Sequence, residues 1–262
     1  MILSAEQAAS FHRDGYVIVK GLLTARETAL LKEISTLDAR LASIMSVRLD
    51  ATGAKTTLAL DNSLGEDIYS AIVRSERLVK STELLLGDEP YHYHHKVSAK
   101  QPFEGGAWEW HQDYGYWYNN GCLYPHMLSC YIAIDLANIE NGCLQVLKGS
   151  HLIGRIDHGK IGGQTGADME RVNAALEKLE LVYAELEAGD AVYFHCNTLH
   201  RSDQNRSPNP RWGLICCYNA RNNSPYKDGP HPSYTPISIL PETGILEAAE
   251  KQLAGLKSLA GA

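Results

Sequence analysis

At residue 91 the spacing of apolar residues changes period, and that change limits this chain more than any other feature of it. Upstream, two capping boxes open helical segments. Ser4-Ala-Glu-Gln7 and Thr24-Ala-Arg-Glu27 each set a hydroxyl at the N-cap and a Glu or Gln three residues on, so that two orphaned backbone donors are satisfied reciprocally. The first helix is expected to end near Asp14-Gly15, a β-branched strand to follow over 16–23, and a second helix to run through Ile44. A further helical stretch over 65–86 stops at Gly87-Asp88-Glu89-Pro90. Downstream, short β-like runs at 91–99, 127–135, 143–147, 181–186, 191–195 and 212–218 are cut by turn signals such as Glu140-Asn-Gly142 and Ala188-Gly-Asp190. A polar insertion over 154–180 interrupts them, its second half (168–179) helical in pattern, and an amphipathic helix closes the tail beyond Pro236.

Many short strands after a helical lead-in predict a mainly β fold, a jelly-roll sandwich with helices packed on one sheet. No repeat or linker divides it. One domain is expected over 1–262, with a lead-in over 1–90, a core over about 91–220 and a tail over 221–262.

Composition narrows the function. A net charge of −7 with no compensating basic run argues against nucleic acid or an anionic membrane as partner. No stretch approaches the roughly 18 apolar residues of a membrane span. The N-terminal MILSAEQAASFHRDG turns polar at once, unlike a signal peptide, so a cytoplasmic location is expected. Cysteines 122, 130, 143, 196, 216 and 217 lack CxxC spacing and sit in apolar runs, and read as reduced, buried thiols.

The chemistry concentrates in Trp110-His111-Gln112-Asp113. In an extended chain alternate side chains share a face, so His111 and Asp113 reach one metal together. His200, just after the 191–195 strand, is the candidate third ligand and is preferred over His195. Two imidazoles and a carboxylate on one face of an iron leave three positions open. Arg211 follows His200 by eleven positions, a spacing that a strand-turn-strand would bring back beside the histidine. Its guanidinium suits the distal carboxylate of a 2-oxo diacid, and Ser202 could add a hydroxyl. The aromatic residues Trp108, Trp110, Tyr114, Tyr116, Trp117 and Tyr118 bracket the triad. Half of them should be core, with Trp117 the preferred substrate contact and Gln112 a second. His126, His151 and His195 read as buried structural histidines, and the loop over 157–168 as a lid.

The segments FHRDGYVIVKGLL (11–23), WHQD (110–113), ENGCLQVLKGSH (140–151) and GDAVYFHCNTLHRSDQN (189–205), with Arg211, resemble the phytanoyl-CoA dioxygenase family in order and spacing over about residues 10–220. The resemblance implies a double-stranded β-helix core, iron(II), 2-oxoglutarate and dioxygen, with succinate and CO2 released. Position by position it makes His111, Asp113 and His200 the metal ligands and Arg211 the 2-oxoglutarate anchor, with Ser202 assisting. The 91–99 strand resembles the other cosubstrate wall. Its face carrying His92, His94, Lys96 and Ser98 supplies His94 and Ser98 as candidate contacts. Lys148 stands where the family commonly has proline before Gly-Ser-His. Asp113 occupies the position left small in related halogenases, which disfavours chlorination.

The reaction expected is hydroxylation of a small, polar or glycosylated metabolite. Oxidative cyclisation or orthoester formation on a carbohydrate-containing metabolite is the alternative within the same chemistry. A non-catalytic, cupin-like metal binder and a zinc isomerase or hydrolase are the alternatives outside it, and the arginine clamp argues against a mere binder. A CoA ester would call for a basic patch, and none is evident.

Overall fold

A computed structural model describes residues 2–260. The chain runs α1 (Ala5–Asp14), β1 (Tyr16–Val19), α2 (Ala25–Leu37), α3 (Ala39–Ile44), β2 (Met45–Leu49), β3 (Lys55–Asp61), α4 (Ile68–Val73), α5 (Glu76–Leu86), β4 (Pro90–Lys100), β5 (Trp108–His111) and α6 (Asp113–Trp117). It continues β6 (Met127–Ala133), β7 (Leu144–Leu147), β8 (His158–Ile161), β9 (Gln164–Ala167), α7 (Met169–Leu176), β10 (Leu181–Ala184), β11 (Ala191–His195), β12 (His200–Ser202), β13 (Arg211–Ala220) and α8 (Gly244–Ala260). Both capping boxes form as read. The Ser4 hydroxyl accepts from the Gln7 amide while the Gln7 side chain accepts from that of Ser4, and Thr24 and Glu27 repeat the pattern. Gly15 ends α1 at φ 81°, and a Cβ there would lie 2.4 Å from the His151 ring, so both conformation and space demand glycine.

Two antiparallel sheets face each other. The major sheet has the order β1-β11-β6-β13-β4-β3-β2, and the minor sheet β10-β7-β12-β5. Strand alternation divides the work of the major sheet. Leu128, Cys130, Ile132, Val97, Leu214 and Cys216 pack outward against Phe11, Leu31, Ile34, Ile72 and Leu78 of the helical layer. Tyr131, Ala133, Val192 and Phe194 pack inward against Leu144, Val146 and Ala184 of the minor sheet. The layers are helices, major sheet, minor sheet, which is the jelly-roll sandwich with helices on one face. Beneath the helices, Arg77 makes a two-pronged pair with Glu27 (2.9 and 3.0 Å) and donates to the Leu22 carbonyl (2.8 Å). All its donors toward the core are thereby matched, as a buried ion pair requires.

Two expectations need correction. The lead-in is not uniformly helical: β2 and β3 pair with each other, and β3 pairs with β4, so they extend the major sheet at one edge. Their residues alternate poorly because β2 is an edge strand, largely exposed, with no buried face to imprint a period of two. Also, His92 and His94 do not share a face. A bulge between Cys217 and Tyr218 of β13 skips Tyr93 in the register, and the extra residue reverses the alternation. His92 therefore turns to His95, with Nε2 and Nδ1 3.1 Å apart, while His94 faces the interior between the sheets. All six cysteines are free and buried, as expected. No helix among the described residues is long and apolar enough to cross a membrane.

Candidate active site

Strand pairing brings His200 of β12 opposite His111 of β5, with ring centroids 4.1 Å apart. Each Nδ1 lies against a backbone carbonyl two residues earlier, Glu109 at 2.7 Å and Thr198 at 2.9 Å. Donation there fixes the tautomer and leaves each Nε2 free to ligate. Asp113 opens α6 where the strand gives way to a helical turn, and Ser129 donates to its Oδ2 at 2.6 Å. Ligand atoms of His111, Asp113 and His200 all lie within 4.8 Å of one another. Burial holds both imidazoles below their ordinary pKa, furthest for His111, where His200 adds to it. Burial alone would raise Asp113; Lys96, with Nζ 4.0 Å away, the two histidines and the Ser129 hydroxyl outweigh it and keep the carboxyl ionised. Neutral imidazoles and an ionised carboxylate are the protonation states a divalent metal needs. The donor set therefore fits iron(II).

The triad lies on one wall of a cavity of about 390 Å3 between the sheets. Arg211 lines the same cavity from the other sheet. The expected hairpin is not what places it: β12 belongs to the minor sheet and β13 to the major, so 203–210 crosses between them. Arg211 faces His200 across the sandwich instead of beside it. Arg211 is 3% exposed, and its Nε and one terminal nitrogen are buried without a hydrogen-bond partner among the described residues. Around it the hydroxyls of Ser98, Ser202 and Tyr131 are buried and equally unpartnered. A cation and three hydroxyls withdrawn from water without partners are costly to keep, unless a ligand satisfies them. A carboxylate would satisfy all four.

Tyr131 carries no sequence signal, being embedded in the apolar run of β6. Its place depends on Gly213 of the neighbouring strand, where a Cβ would fall 2.3 Å from the tyrosine ring. The Arg211 guanidinium lies 5.5 Å from that ring. Lys100, wholly buried, donates to the carbonyls of Ser202 (3.4 Å) and Asp203, tying the end of β12 to β4 below the arginine.

The remaining expected residues divide. Trp117 is buried, lines the cavity, and packs edge-on to Tyr93 and His94. Trp108 and Tyr116 also line it, whereas Trp110 and Tyr114 belong to core clusters and Tyr118 is exposed beneath Arg155. Gln112, expected as a second substrate contact, does not line the cavity. Alternation turns it away from its neighbours, and its amide donates to the carbonyls of Gly154 and Asn197 and accepts from Ile156 N–H. The amide is consumed in bracing the loop behind the triad. Ser98 pairs with Gly213, close to Arg211, but His94 pairs with Cys217 at the opposite end of the strand. Four residues of strand, about 13 Å, part the two, so His94 lies beyond the triad and not beside the arginine. The 157–168 segment is the β8–β9 hairpin. It contributes Gln164 and Thr165 to the cavity and is fastened by Tyr116 Oη donating to the Thr165 carbonyl (2.5 Å) and Gln112 N–H to His158 (2.9 Å). His195 packs between Phe11 and His151, away from the triad, and His126 is exposed beside Tyr124 instead of buried.

Comparison with known proteins agrees with this geometry. An ectoine dioxygenase from Bordetella bronchiseptica is 29% identical over 248 residues, covering 88% of this chain and 80% of that protein. The L-proline trans-4-hydroxylase of Streptomyces griseoviridis is 33% identical over 190 residues, covering 66% and 69%. The fold matches the crystal structure of EctD from S. alaskensis with 2-oxoglutarate and 5-hydroxyectoine, with a TM-score of 0.75 at 23% identity over 91% of this chain and 88% of that one. The model of the phytanoyl-CoA dioxygenase (PhyH) family matches residues 11–213, and the chain belongs to that family.

Proposed function

We propose that this protein is an iron(II)- and 2-oxoglutarate-dependent dioxygenase that hydroxylates a small polar metabolite, with His111, Asp113 and His200 holding the metal. Arg211 binds the distal carboxylate of 2-oxoglutarate, and Ser98, Ser202 and Tyr131 complete the cradle. The buried, unpartnered guanidinium of Arg211 carries this reading. A non-catalytic metal binder or a zinc hydrolase has no use for such a clamp, and an unmatched buried cation would be selected away without one.

Bound iron, 2-oxoglutarate and dioxygen supply the oxidation, in which the 2-oxo acid becomes succinate and CO2 as one oxygen atom enters a C–H bond of the substrate. The chain's own residues do the positioning. The backbone carbonyls of Glu109 and Thr198 fix both ring orientations, and Ser129 orients Asp113. Arg211 offers parallel N–H donors matched to a carboxylate, which sets the direction of the diacid. Ser202 follows His200 by two residues, about 6.6 Å along the strand, a length that a five-carbon diacid spans between triad and arginine. Phe194, 4.7 Å from the His200 ring, and Leu144 keep the space between them dry. A carboxylate as the middle ligand occupies the position a halide would need, which favours oxygen transfer.

The cavity favours a small substrate. At about 390 Å3 it is near the lower end of ligand sites, roughly 300–1,000 Å3, and it must hold cosubstrate as well. A long acyl-CoA does not suit it, whereas substrates like those for which the ectoine and L-proline relatives are named do. The test is succinate formation from 2-oxoglutarate under iron(II), ascorbate and air, which proceeds slowly without substrate. Turnover that His111→Ala abolishes supports the reading. An iron-loaded protein that neither binds nor consumes 2-oxoglutarate sinks it.

A further inference from the structure

Beyond the triad, on the side away from Arg211, the cavity wall is built of nitrogen. His94 is 2% exposed, and neither ring nitrogen has a hydrogen-bond partner. Against it, centroids 5.5 Å apart, lies His231, which also stacks on Tyr93 at 4.7 Å and 18°. The buried Nδ1 of His231 is likewise unpartnered. Lys96, two residues along the same face of β4, adds an ammonium group, and the amide of Asn120 lines the wall as well. The only acid among the cavity-lining residues is Asp113.

His231 lies outside the stretch matched by the family model, in the irregular chain between β13 and α8. That chain is anchored on both sides of it. Asn62 donates to the Pro230 carbonyl (2.9 Å), while the Tyr234 amide donates to Ser224 Oγ (3.0 Å) and its hydroxyl to Glu89 (2.7 Å). Tyr234 also packs edge-on to Tyr91. The imidazole is thus held against the cavity by contacts that do not involve its own nitrogens, as a ligand-binding group should be.

Charge decides what such a wall accepts. With iron(II) and 2-oxoglutarate bound, Asp113 and the two carboxylates of 2-oxoglutarate would be balanced by the metal and by Arg211. Lys96, half-buried and 4.0 Å from Asp113, would then leave one positive charge in excess, beside two imidazoles that each have one N–H to donate. Arg48 adds a further cation at the exposed mouth, where among the described residues it donates to the Val47 carbonyl alone. A cationic substrate group would add to that positive excess, and a neutral acceptor would take the imidazole N–H groups but leave the excess charge unmet.

We propose that His94 and His231 are the substrate-specificity residues of this oxygenase and that they bind an oxyanionic group of the substrate, so that the segment after β13 is part of the active site. The inference rests on the oxygenase reading and deepens it. The substrate is a small molecule carrying a carboxylate or a phosphonate, both of which present acceptor oxygens at the same reach.

The experiment is calorimetric binding to the full chain loaded with 2-oxoglutarate and manganese(II), a redox-inert stand-in, under nitrogen. The probes are small amino carboxylates, including L-proline, and small aminophosphonates, each beside the amide or ester that removes the oxyanion and keeps the amine, and beside the corresponding acid without the amine. Binding of the acids, with or without the amine, but not of the masked partners is expected, and the better arm names the oxyanion. With the best probe, His231→Ala should weaken binding about tenfold to a hundredfold, and His231→Asn, which keeps an N–H near Nδ1, should recover part of it. The dissociation constant for 2-oxoglutarate should move less than about threefold in either variant, because Arg211 lies at the other end of the cavity. Since His94 is in the core, His94→Gln is compared only after its thermal midpoint matches wild type. Masked partners binding as well as the acids, no acid binding at all, or His231→Ala binding like wild type would each overturn the proposal. A protein that does not bind 2-oxoglutarate fails the oxygenase reading first, and the two failures are told apart by that measurement alone.

Discussion

The two faces of the major sheet are made by the same strands and are opposite in character. Toward the helices, β6, β13 and β4 present Leu128, Cys130, Ile132, Leu214, Cys216 and Val97, nearly all without exposed surface and packed against apolar neighbours. Toward the minor sheet, the same strands present Ser129, Tyr131, Arg211, Lys96, Ser98 and His94. Four of these six carry buried polar atoms with no partner among the described residues. One face is complete as folded, and the other is completed by ligands. Stability and activity should therefore respond separately to substitutions one residue apart.

The sharpest break of that comparison is Leu214→Ala on the helix face. Truncating a fully buried leucine should destabilise the fold by about 2–5 kcal/mol, measured by chemical denaturation. Its affinity for 2-oxoglutarate, measured on the folded fraction, should stay within about twofold; a large loss would mean that the two faces are coupled. Three positions earlier, Arg211→Met should do the reverse. Removing the charge-assisted pair weakens 2-oxoglutarate about tenfold to a hundredfold. The ligand-free protein should melt no lower than wild type, since an unmatched buried cation is replaced by an apolar chain of similar length. A marked fall in the midpoint would show that the guanidinium holds the fold. Ser202→Ala is the milder version, raising the KM for 2-oxoglutarate a fewfold while leaving kcat nearly unchanged.

The smallest effect is on pH. Burial holds His92 and His195 down to about 3 against an ordinary value near 6.5, so the folded chain binds fewer protons than the unfolded one between those values. Their contribution is intact above about pH 6.5 and is lost progressively below it. The thermal midpoint should fall between pH 7 and 5, and His92→Gln should flatten that slope. An unchanged slope would show that other groups set it.

How legible this was differs between fold and site. The capping boxes at Ser4 and Thr24 formed where they were read, because a cap is a contact among neighbours in sequence. The strand over 191–195 was legible as a short apolar run, since both of its faces are buried, and the helix after Pro236 because one buried face imprints its period on the chain. The edge strand β2 and its neighbour β3 were not, since exposed and half-buried residues at the end of a sheet leave little such imprint. His111 and Asp113 were legible from alternation over three residues, and His200 with Arg211 from order along the chain.

What the linear chain determined by itself is local: caps, turns, strand period and the residue types fit to ligate a metal. Only tertiary structure decided that β12 and β13 lie in different sheets, so that Arg211 meets the triad from across the cavity. It also decided that one bulged residue turns His92 to His95 and leaves His94 in the site, that Gly213 makes room for Tyr131, and that the tail brings back His231. Such placements depend on contacts between residues distant in sequence. No short-range pattern records them, because what fixes them is the space another strand leaves.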